Sequence, residues 1–273
     1  MKIGLIAGAG SLPQNVVKAS EQIFVAAITG FSAASDFDVE SDEFGLAEFG
    51  KISRAFKNAD CTHICFAGNV SRPDFKTLRP DLKGLTYLPG AIKAAKEGDD
   101  SLLRYVLERF EKEGFEIISP QELCKDLLMP KGHLGQLRLN IEHRDDAEKA
   151  CKIAAQIGAL DIGQAAVVCR GVVLAVEAQE GTDEMLKRVS KLPEALKGNA
   201  NKREGVLAKI IKSNQDVRVD LPTFGLKTVQ LAADAGLAGI VGESGRAFLL
   251  DRETAIAEAD RRGLFIAGLP PIE

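Results

Sequence analysis

The sequence lacks the features that would assign it to several specialised protein classes. No apolar run approaches the roughly 18 residues of a membrane-spanning helix, so we do not expect the chain to cross a bilayer. It has no strong charge bias, because 35 basic and 39 acidic residues give a net charge of -4. That balance does not favour contacts with many nucleic-acid phosphates. We therefore expect no nucleic-acid partner.

Covalent cross-links and common nucleophile motifs are also missing. The five cysteines are odd in number and scattered, in a chain long enough to fold without disulfides. They indicate reduced thiols and a cytoplasmic location. The three histidines have no G-x-S-x-G motif nearby, so histidine-assisted nucleophilic catalysis has no support. The remaining composition, 45% hydrophobic and 27% charged, is typical of a soluble globular protein.

The chain has room for two α/β domains, since 273 residues exceed the roughly 150 expected of one domain. In residues 1–129, short apolar runs such as 3–7, 23–28 and 63–67 alternate with helical patterns, which predicts a Rossmann-like parallel sheet covered by helices. Glycine and proline concentrate at 130–135, where we predict a linker. Strands and helices alternate again over 136–273, which predicts a distinct C-terminal α/β domain.

A glycine-containing loop follows the first predicted strand. Gly8, Gly10, Ser11 and Leu12 lead into a predicted helix, and backbone N–H groups at such a helix start can bind phosphate. A dinucleotide-binding fingerprint would place its third glycine where Pro13 stands, and would carry an acid near the end of the second strand, which is absent. NAD binding is therefore disfavoured. A tight turn that binds no ligand explains the loop equally well.

Acidic and amide residues flank a predicted hairpin in the second half. Strands over 163–169 and 172–178, joined by Arg170-Gly171, would bring the stretch 161–164 back beside Glu177 and Glu180. Carboxylates at a strand end are a common functional arrangement. The alternative is ordinary helix capping by Thr182 or Asp183 with solvated charge.

A second acidic pattern occurs in the stretch 215–222. Period-two spacing places Asp216, Arg218 and Asp220 on one face of an extended segment. Two carboxylates suit Mg²⁺ and the guanidinium between them suits phosphate oxygens. A surface ion-pair ladder is the competing interpretation, and spacing alone favours it.

Two other charged stretches have simple structural explanations. Residues 187–212 hold eight basic and two acidic side chains, which is typical of a solvated face but would also suit phosphate groups or an anionic membrane. Asp99 and Asp100 precede a predicted helix, with Ser101 as its N-cap, and complement the helix dipole.

In combination, these stretches resemble the UDP-2,3-diacylglucosamine pyrophosphatases of lipid A synthesis, the type unrelated to calcineurin-like metallophosphoesterases. Each stretch is short, but their order and spacing span nearly the whole chain. The stretches that carry the resemblance are 6–13, 68–73, 98–100, 161–164, 176–183, 215–222 and 235–240.

The resemblance implies Mg²⁺-dependent hydrolysis to UMP and 2,3-diacylglucosamine 1-phosphate (lipid X), with water attacking the sugar-side phosphorus. It implies that the aspartate this family needs most is Asp220. The chemistry of the residues adds Asp216 and Arg218 as catalytic residues, and metal ligation by Asp220, Asp216 and Glu177, with Glu180 as the alternative to Glu177. The expected substrate-binding residues are Gly8, Gly10, Ser11, Leu12, Arg72, Asp99, Asp100, Gln164, Glu180, Gly181, Thr182 and Gln215. Departures from the family pattern occur at Ser213-Asn214 and at Asn69.

The resemblance also sets expectations about partners. A glycolipid nucleotide substrate resides in a membrane leaflet, so we expect peripheral contact with the inner membrane surface, for which the stretch 187–212 is the candidate. Since most soluble oligomers are symmetric, we expect a homodimer. The alternative function is a non-catalytic lipid- or nucleotide-binding two-domain protein, and an NAD(P)-dependent oxidoreductase is a third, weaker hypothesis.

Overall fold

The structure, a computed structural model, describes residues 1–212, 218 and 221–271. These residues form two compact units. The first comprises Met1–Lys125 and also contains Arg218, and the second comprises the remaining described residues. In the described part of the chain, no helix is both long and apolar enough to cross a membrane.

The first unit is built around a five-stranded parallel sheet with the strand order β3-β2-β1-β4-β5. This is the order of the first five strands of the six-stranded Rossmann sheet, and it confirms the predicted fold class. Its elements are β1 (Ile3–Ala7), α1 (Leu12–Lys18), β2 (Ile23–Ile28), β3 (Ser41–Phe44), α2 (Phe49–Asn58), β4 (His63–Ala67), α3 (Leu82–Glu97), α4 (Asp99–Lys112), β5 (Glu116–Ile117) and α5 (Pro120–Leu123).

Hydrophobic burial on both faces explains this sheet. Every residue of β1 and β2 is buried, as expected for central parallel strands covered by helices. Helix α2 packs through Phe49, Ile52 and Phe56, which share one helical face. The Phe56 ring lies against β1 at Gly4, where a Cβ would come within 2.7 Å of it.

Helices α3 and α4 differ from the sequence expectation. Helix α3 contains Gly84 and Pro89, residues that interrupt helical patterns in a sequence, and we did not predict it. Helix α4 begins at Asp99 rather than after Ser101, because Gly98 adopts a φ of 138° and ends one helix while beginning the next. The predicted N-cap at Ser101 is wrong.

The second unit contains a six-stranded mixed sheet with the order β6-β13-β11-β9-β7-β8. Strands β9, β11 and β13 are parallel to one another. Strand β6 is antiparallel to β13, and β7 is antiparallel to both β9 and β8. The elements are β6 (Gly132–Leu134), α6 (Ile141–Ala159), β7 (Ala165–Cys169), β8 (Val172–Val176), α7 (Gly181–Ser190), β9 (Val206–Lys209), β10 (Thr223–Phe224), α8 (Leu226–Asp234), β11 (Gly239–Glu243), β12 (Phe248–Leu249), α9 (Arg252–Arg262) and β13 (Phe265–Leu269).

The stretch 130–135, predicted as a linker, belongs to the second unit. Its strand β6 pairs with β13, with Leu134 opposite Ile266. Met129, just before the stretch, is buried in the core of this unit and its N–H donates to the carbonyl of Ala247 at 2.8 Å. Although this stretch is rich in glycine and proline, backbone hydrogen bonds to β13 make part of it an edge strand. Composition alone does not reveal such pairing.

The hairpin of β7 and β8 has the predicted turn. Arg170 and Gly171 both have positive φ, 50° and 73°, as a two-residue hairpin turn requires. Asp146 of α6 is buried, and its carboxylate accepts both turn N–H groups, from Arg170 at 2.8 Å and from Gly171 at 2.7 Å. The helix therefore fixes the position of the turn, and with it the register of the hairpin.

Replacing Asp146 tests this anchor. Asp146→Ala removes the acceptor of two partly buried backbone N–H groups, so we expect the free energy of unfolding to fall by about 1–3 kcal/mol. Urea denaturation monitored by circular dichroism measures the loss. The matched control is Asp145→Ala, because Asp145 is the exposed neighbouring aspartate on the same helix. Equal unfolding midpoints for the two variants would show that the turn does not depend on Asp146.

Candidate active site

In the first unit, the loops after β1 and β4 meet at the carboxyl edge of the sheet. The strand order reverses between these two strands, and ligands of open α/β sheets bind at such a switch point. Ala9 and Asn69 exchange two backbone hydrogen bonds of 2.8 Å, and the N–H of Gly8 donates to the carbonyl of Ala67 at 2.8 Å. The two loops thus leave the sheet as a joined pair.

The two glycines of the first loop are required for different reasons. A Cβ at Gly8 would lie 2.7 Å from the carbonyl oxygen of Asn69, so the contact between loops excludes a side chain there. Gly10 has a φ of 99°, and no neighbouring atom lies within 4 Å of a Cβ built on it. Only Gly10 therefore leaves open space beside the backbone, where the sequence predicts a phosphate or ribose contact.

The helix start that follows is held by its own side chains. Ser11 is the N-cap residue of α1 and Leu12 its first residue, but the Ser11 hydroxyl makes no capping hydrogen bond. Instead, the carbonyl of Ser11 accepts from the side-chain nitrogen of Asn15 at 2.8 Å and from its backbone N–H at 3.2 Å. This leaves the Ser11 hydroxyl available to a ligand, as the predicted substrate contact requires.

Arg72 and Asp99, two predicted substrate-binding residues, lie together in the first unit. The guanidinium of Arg72 is 3.4 Å from the Asp99 carboxylate and donates to the carbonyl of Ala95 at 2.5 Å. Both side chains are partly exposed. Asp99 and Asp100 occupy the first turn of α4, where their charge favours the helix dipole. The arrangement presents a cation beside the loop that follows β4.

Arg218 also belongs to the first unit. Its guanidinium nitrogen lies 3.0 Å from the carboxylate of Glu111 on α4, and both side chains are partly exposed. Its neighbours Gln215, Asp216 and Asp220, which carry the predicted catalytic and metal-binding roles, lie outside the described residues. The extended stretch predicted around them therefore stays a prediction.

In the second unit, strand directions bring polar residues to one edge of the sheet. The carboxyl ends of β9 and β11 lie beside the start of β7, and the start of β7 lies beside the end of β8. The residues at this edge are Asp161, Gln164, Glu177, Thr182, Lys209, Lys212 and Glu243. Sequence reasoning missed Lys209, Lys212 and Glu243, and their position directly after buried apolar stretches is the signal that could have identified them.

Glu177 is the centre of this edge. Its side chain is buried, and its carboxylate accepts from the Thr182 hydroxyl at 2.6 Å and from the backbone N–H of Gln164 at 3.0 Å. Gly163 permits the close approach, since a Cβ there would lie 2.2 Å from the Glu177 carbonyl oxygen. The prediction that the hairpin returns Gln164 to Glu177 is confirmed. Both carboxylate oxygens accept a hydrogen bond within the protein, so Glu177 positions Gln164 and Thr182, and metal ligation by Glu177 stays a prediction.

Glu180 forms an ion pair with a residue of α7. Its carboxylate lies 2.7 Å from the Arg188 guanidinium. A hydrogen bond from its own backbone and the one from Arg188 lower the pKa of Glu180. The expectation that the hairpin places Glu180 beside the stretch 161–164 stays a prediction, and Arg188, about two turns further along α7, binds the Glu180 carboxylate. Gly181 follows with a φ of 78°, a backbone conformation that allows α7 to begin directly after the hairpin.

Lys212 is held at the same edge by an ion pair. Its ammonium lies 2.8 Å from the carboxylate of Asp161, and the Lys212 side chain is largely buried. Asp161 has a φ of 54°. The ammonium of Lys209 donates to the carbonyl of Thr223 at 3.3 Å. The sequence 215–222 follows directly after this pair of lysines.

The basic stretch 187–212 does not form one cationic face. It runs through the end of α7, a loop and the buried strand β9, so its side chains point in different directions. Lys197 is buried and Arg203 donates to the carbonyl of Ala233. Four of its other cations form ion pairs: Lys187–Glu184, Arg188–Glu180, Lys202–Glu204 and Lys212–Asp161. As a membrane-binding surface this stretch is not supported.

The described residues alone do not assemble a metal centre. Among them, no three histidine, cysteine, aspartate or glutamate side chains come together as ligands. The predicted ligands Asp216 and Asp220 lie outside the described residues, so the Mg²⁺ site stays a prediction. Their hard oxygen donors suit Mg²⁺, which takes a few carboxylates together with water and substrate phosphate.

Comparison with known proteins decides which family has this arrangement. The family model for the LpxI N-terminal domain matches residues 2–127, and that for the LpxI C-terminal domain matches residues 130–267. A curated relative, the UDP-2,3-diacylglucosamine pyrophosphatase LpxI of Caulobacter vibrioides, is 52% identical over 276 residues, covering 100% of this chain and 99% of the relative.

The chain belongs to the LpxI family. It is a hydrolase, a pyrophosphatase of lipid A biosynthesis, as the sequence resemblance predicts. The NAD(P)-dependent and non-catalytic alternatives are thereby set aside. In this LpxI-family chain, the structure describes two separate candidate regions, the loop pair of the first unit and the Glu177 edge of the second.

Gly8→Ala tests the joined loops. The added methyl group would meet the carbonyl of Asn69, so we expect a loss of about 1–3 kcal/mol in the free energy of unfolding, together with lower hydrolase activity. Gly45→Ala is the matched control, because that glycine also follows a strand of the same sheet and its Cβ would lie 3.4 Å from the nearest atom. Urea unfolding of both variants makes the comparison, and equal stability would contradict the loop contact.

Glu177→Ala separates a positioning role from metal ligation. Removing the carboxylate leaves the Thr182 hydroxyl and the Gln164 N–H without their acceptor, so we expect a loss of about 2–4 kcal/mol in the free energy of unfolding. The loss should be the same in EDTA and in Mg²⁺. Glu184→Ala, an exposed glutamate on α7, serves as the control. A loss that appears only in Mg²⁺ would instead make Glu177 a metal ligand.

Proposed function

We propose that this enzyme hydrolyses the pyrophosphate bond of UDP-2,3-diacylglucosamine, releasing UMP and 2,3-diacylglucosamine 1-phosphate, with Mg²⁺ as its cofactor. The proposed substrate is supported by the full-length identity of 52% to the Caulobacter vibrioides enzyme, whose name contains that substrate. The match extends through both units, so it covers every residue that the proposal uses.

The chemistry requires positive charge more than a covalent nucleophile. A pyrophosphate diester is stable in water, and negative charge grows on its oxygens as water attacks phosphorus. Arginine forks match phosphate oxygens with two hydrogen bonds. Arg218 would neutralise such an oxygen by exchanging its carboxylate partner Glu111, which is partly exposed, for phosphate.

The aspartates of the stretch 215–220 take the remaining roles. Asp216 and Asp220 would hold Mg²⁺, which when bound supplies charge neutralisation at the phosphates. One of the two carboxylates orients the attacking water and accepts its proton. Water attacks the sugar-side phosphorus, so that UMP leaves. In the second unit, the Glu177 carboxylate holds the N–H of Gln164 and the hydroxyl of Thr182, and its part in metal binding stays a prediction.

The loop pair of the first unit would bind the polar part of the substrate. Open space at Gly10 and the hydroxyl of Ser11 suit phosphate or ribose oxygens, and Arg72 adds a cation. The acyl chains place the substrate at the inner membrane, so the enzyme would work there in peripheral contact from the cytoplasmic side. A symmetric homodimer is the proposed assembly, which analytical ultracentrifugation tests.

A product assay tests the proposal. Purified enzyme given UDP-2,3-diacylglucosamine should release UMP with Mg²⁺ and none with EDTA. Asp220→Ala should lower turnover by at least about a thousandfold, because it removes a ligand and charge at the reacting phosphate, while its circular dichroism stays unchanged. Asp145→Ala, exposed on α6, is the control that should retain activity. Wild-type turnover by folded Asp220→Ala would remove Asp220 from the mechanism.

A further inference from the structure

Helix α3 presents an exposed face with an unusual composition. Leu82 is 88% exposed and Leu85 is 57% exposed. With 3.6 residues per turn, the exposed positions of this helix fall within about 120° of one another around its axis. The face consists of Leu82, Leu85, Thr86, Pro89, Lys93, Lys96 and Glu97. Its first half is therefore mainly apolar, and its second half holds two lysines with one glutamate at the end of the helix.

The opposite face of α3 is fixed to the first unit. Asp81 caps the helix by accepting from the N–H of Gly84 at 2.7 Å, and its other oxygen accepts from the N–H of Lys51 at 2.7 Å. Tyr87 packs edge-on against Phe49 with ring centroids 5.0 Å apart. The helix thus has a complete set of packing contacts without the leucine face, so this face is not needed to hold α3 in place.

Charge around the face favours an anionic partner. The chain as a whole has a net charge of -4, but its stretch 70–97 holds six basic and three acidic side chains. Two of those acids are engaged by backbone N–H groups, Asp81 at the start of α3 and Asp74 with the N–H of Lys76. Four cations of this stretch form no ion pair with any residue that the structure describes: Lys76, Arg79, Lys93 and Lys96.

We propose that the exposed face of α3 is the surface with which the enzyme binds an anionic lipid bilayer. Exposed leucines bordered by lysines are the pattern of a peripheral membrane helix, in which apolar side chains enter the interface and cations meet anionic headgroups. This rests on the proposed function only in that a substrate with two acyl chains resides in such a bilayer. We propose this face in place of the stretch 187–212, in which four cations form ion pairs and Lys197 is buried.

Vesicle binding without substrate tests the surface. The full chain is sedimented with vesicles of phosphatidylcholine alone, and with vesicles of equal parts phosphatidylcholine and phosphatidylglycerol. We expect binding to the mixed vesicles, weakened by salt. Leu82→Asp with Leu85→Asp should reduce the partition coefficient at least about tenfold, since two leucines leave the interface. Lys93→Glu with Lys96→Glu should remove the preference for phosphatidylglycerol.

The control for the double leucine variant also replaces two exposed apolar side chains by aspartate. Ile141→Asp with Val172→Asp replaces side chains that are 81% and 56% exposed, in the second unit, and should bind vesicles as the wild type does. Wild-type protein that ignores the mixed vesicles, or a leucine variant that binds them normally, would overturn the proposal. So would a leucine variant that changes from dimer to monomer in ultracentrifugation, because the face would then bind a second copy.

A separate activity measurement distinguishes failure of the surface from failure of the proposed function. Both double variants should hydrolyse a short-chain, monomeric analogue of the substrate at the wild-type rate. Vesicle binding without hydrolysis of the analogue by the wild type would contradict the proposed function and leave the surface supported. Hydrolysis of the analogue without vesicle binding would contradict the surface alone.

Discussion

The direction of the strands in the second sheet is the constraint on which the candidate site depends. Parallel strands end at one edge of a sheet, and an antiparallel hairpin inserted beside them starts and ends at that same edge. The β7–β8 hairpin therefore returns Gln164 and Glu177 to the place where β9 and β11 end. A slip of one residue would turn every side chain to the other face, and Asp146 prevents the slip by binding the hairpin turn.

In the first unit, backbone hydrogen bonds alone hold the two candidate loops together. The strand order of this unit reverses between β1 and β4, and the Ala9–Asn69 hydrogen bonds join the loops that follow these two strands. Because the two loops lie so close together, position 8 requires glycine whether or not a ligand binds. Gly10 instead has open space beside it at the start of a helix. A glycine-rich loop of this kind resembles a dinucleotide fingerprint in composition, but its first glycine is required for contact between loops.

The sequence predicted much of this fold, because buried strands are continuous apolar runs and their pattern is local. The strands 3–7, 23–28 and 63–67 and the Arg170-Gly171 hairpin are where the sequence places them. Long-range pairing was not predictable: β6 is a strand only because β13 lies beside it. Helix α3 was obscured by Gly84 and Pro89, which its packing against neighbouring helices tolerates.

The candidate site was predictable in part for the same physical reason. Gln164, Glu177 and Thr182 come together as the hairpin requires, whereas the choice of Arg188 by Glu180 depends on side-chain orientation at the start of α7. In the charged stretch 187–212, composition does not show that Lys197 is buried or that four of the other cations form ion pairs. Charge in a sequence identifies a surface only when the exposed side of each element is known.

Hydrolysis by direct attack of water on the sugar-side phosphorus is the central claim about this enzyme. A single turnover in ¹⁸O-labelled water, with enzyme in excess over UDP-2,3-diacylglucosamine and products analysed by mass spectrometry, tests it most directly. The account predicts one labelled oxygen in 2,3-diacylglucosamine 1-phosphate and none in UMP. Label in UMP, or a first turnover in which the phosphate takes its oxygen from the protein, would contradict it.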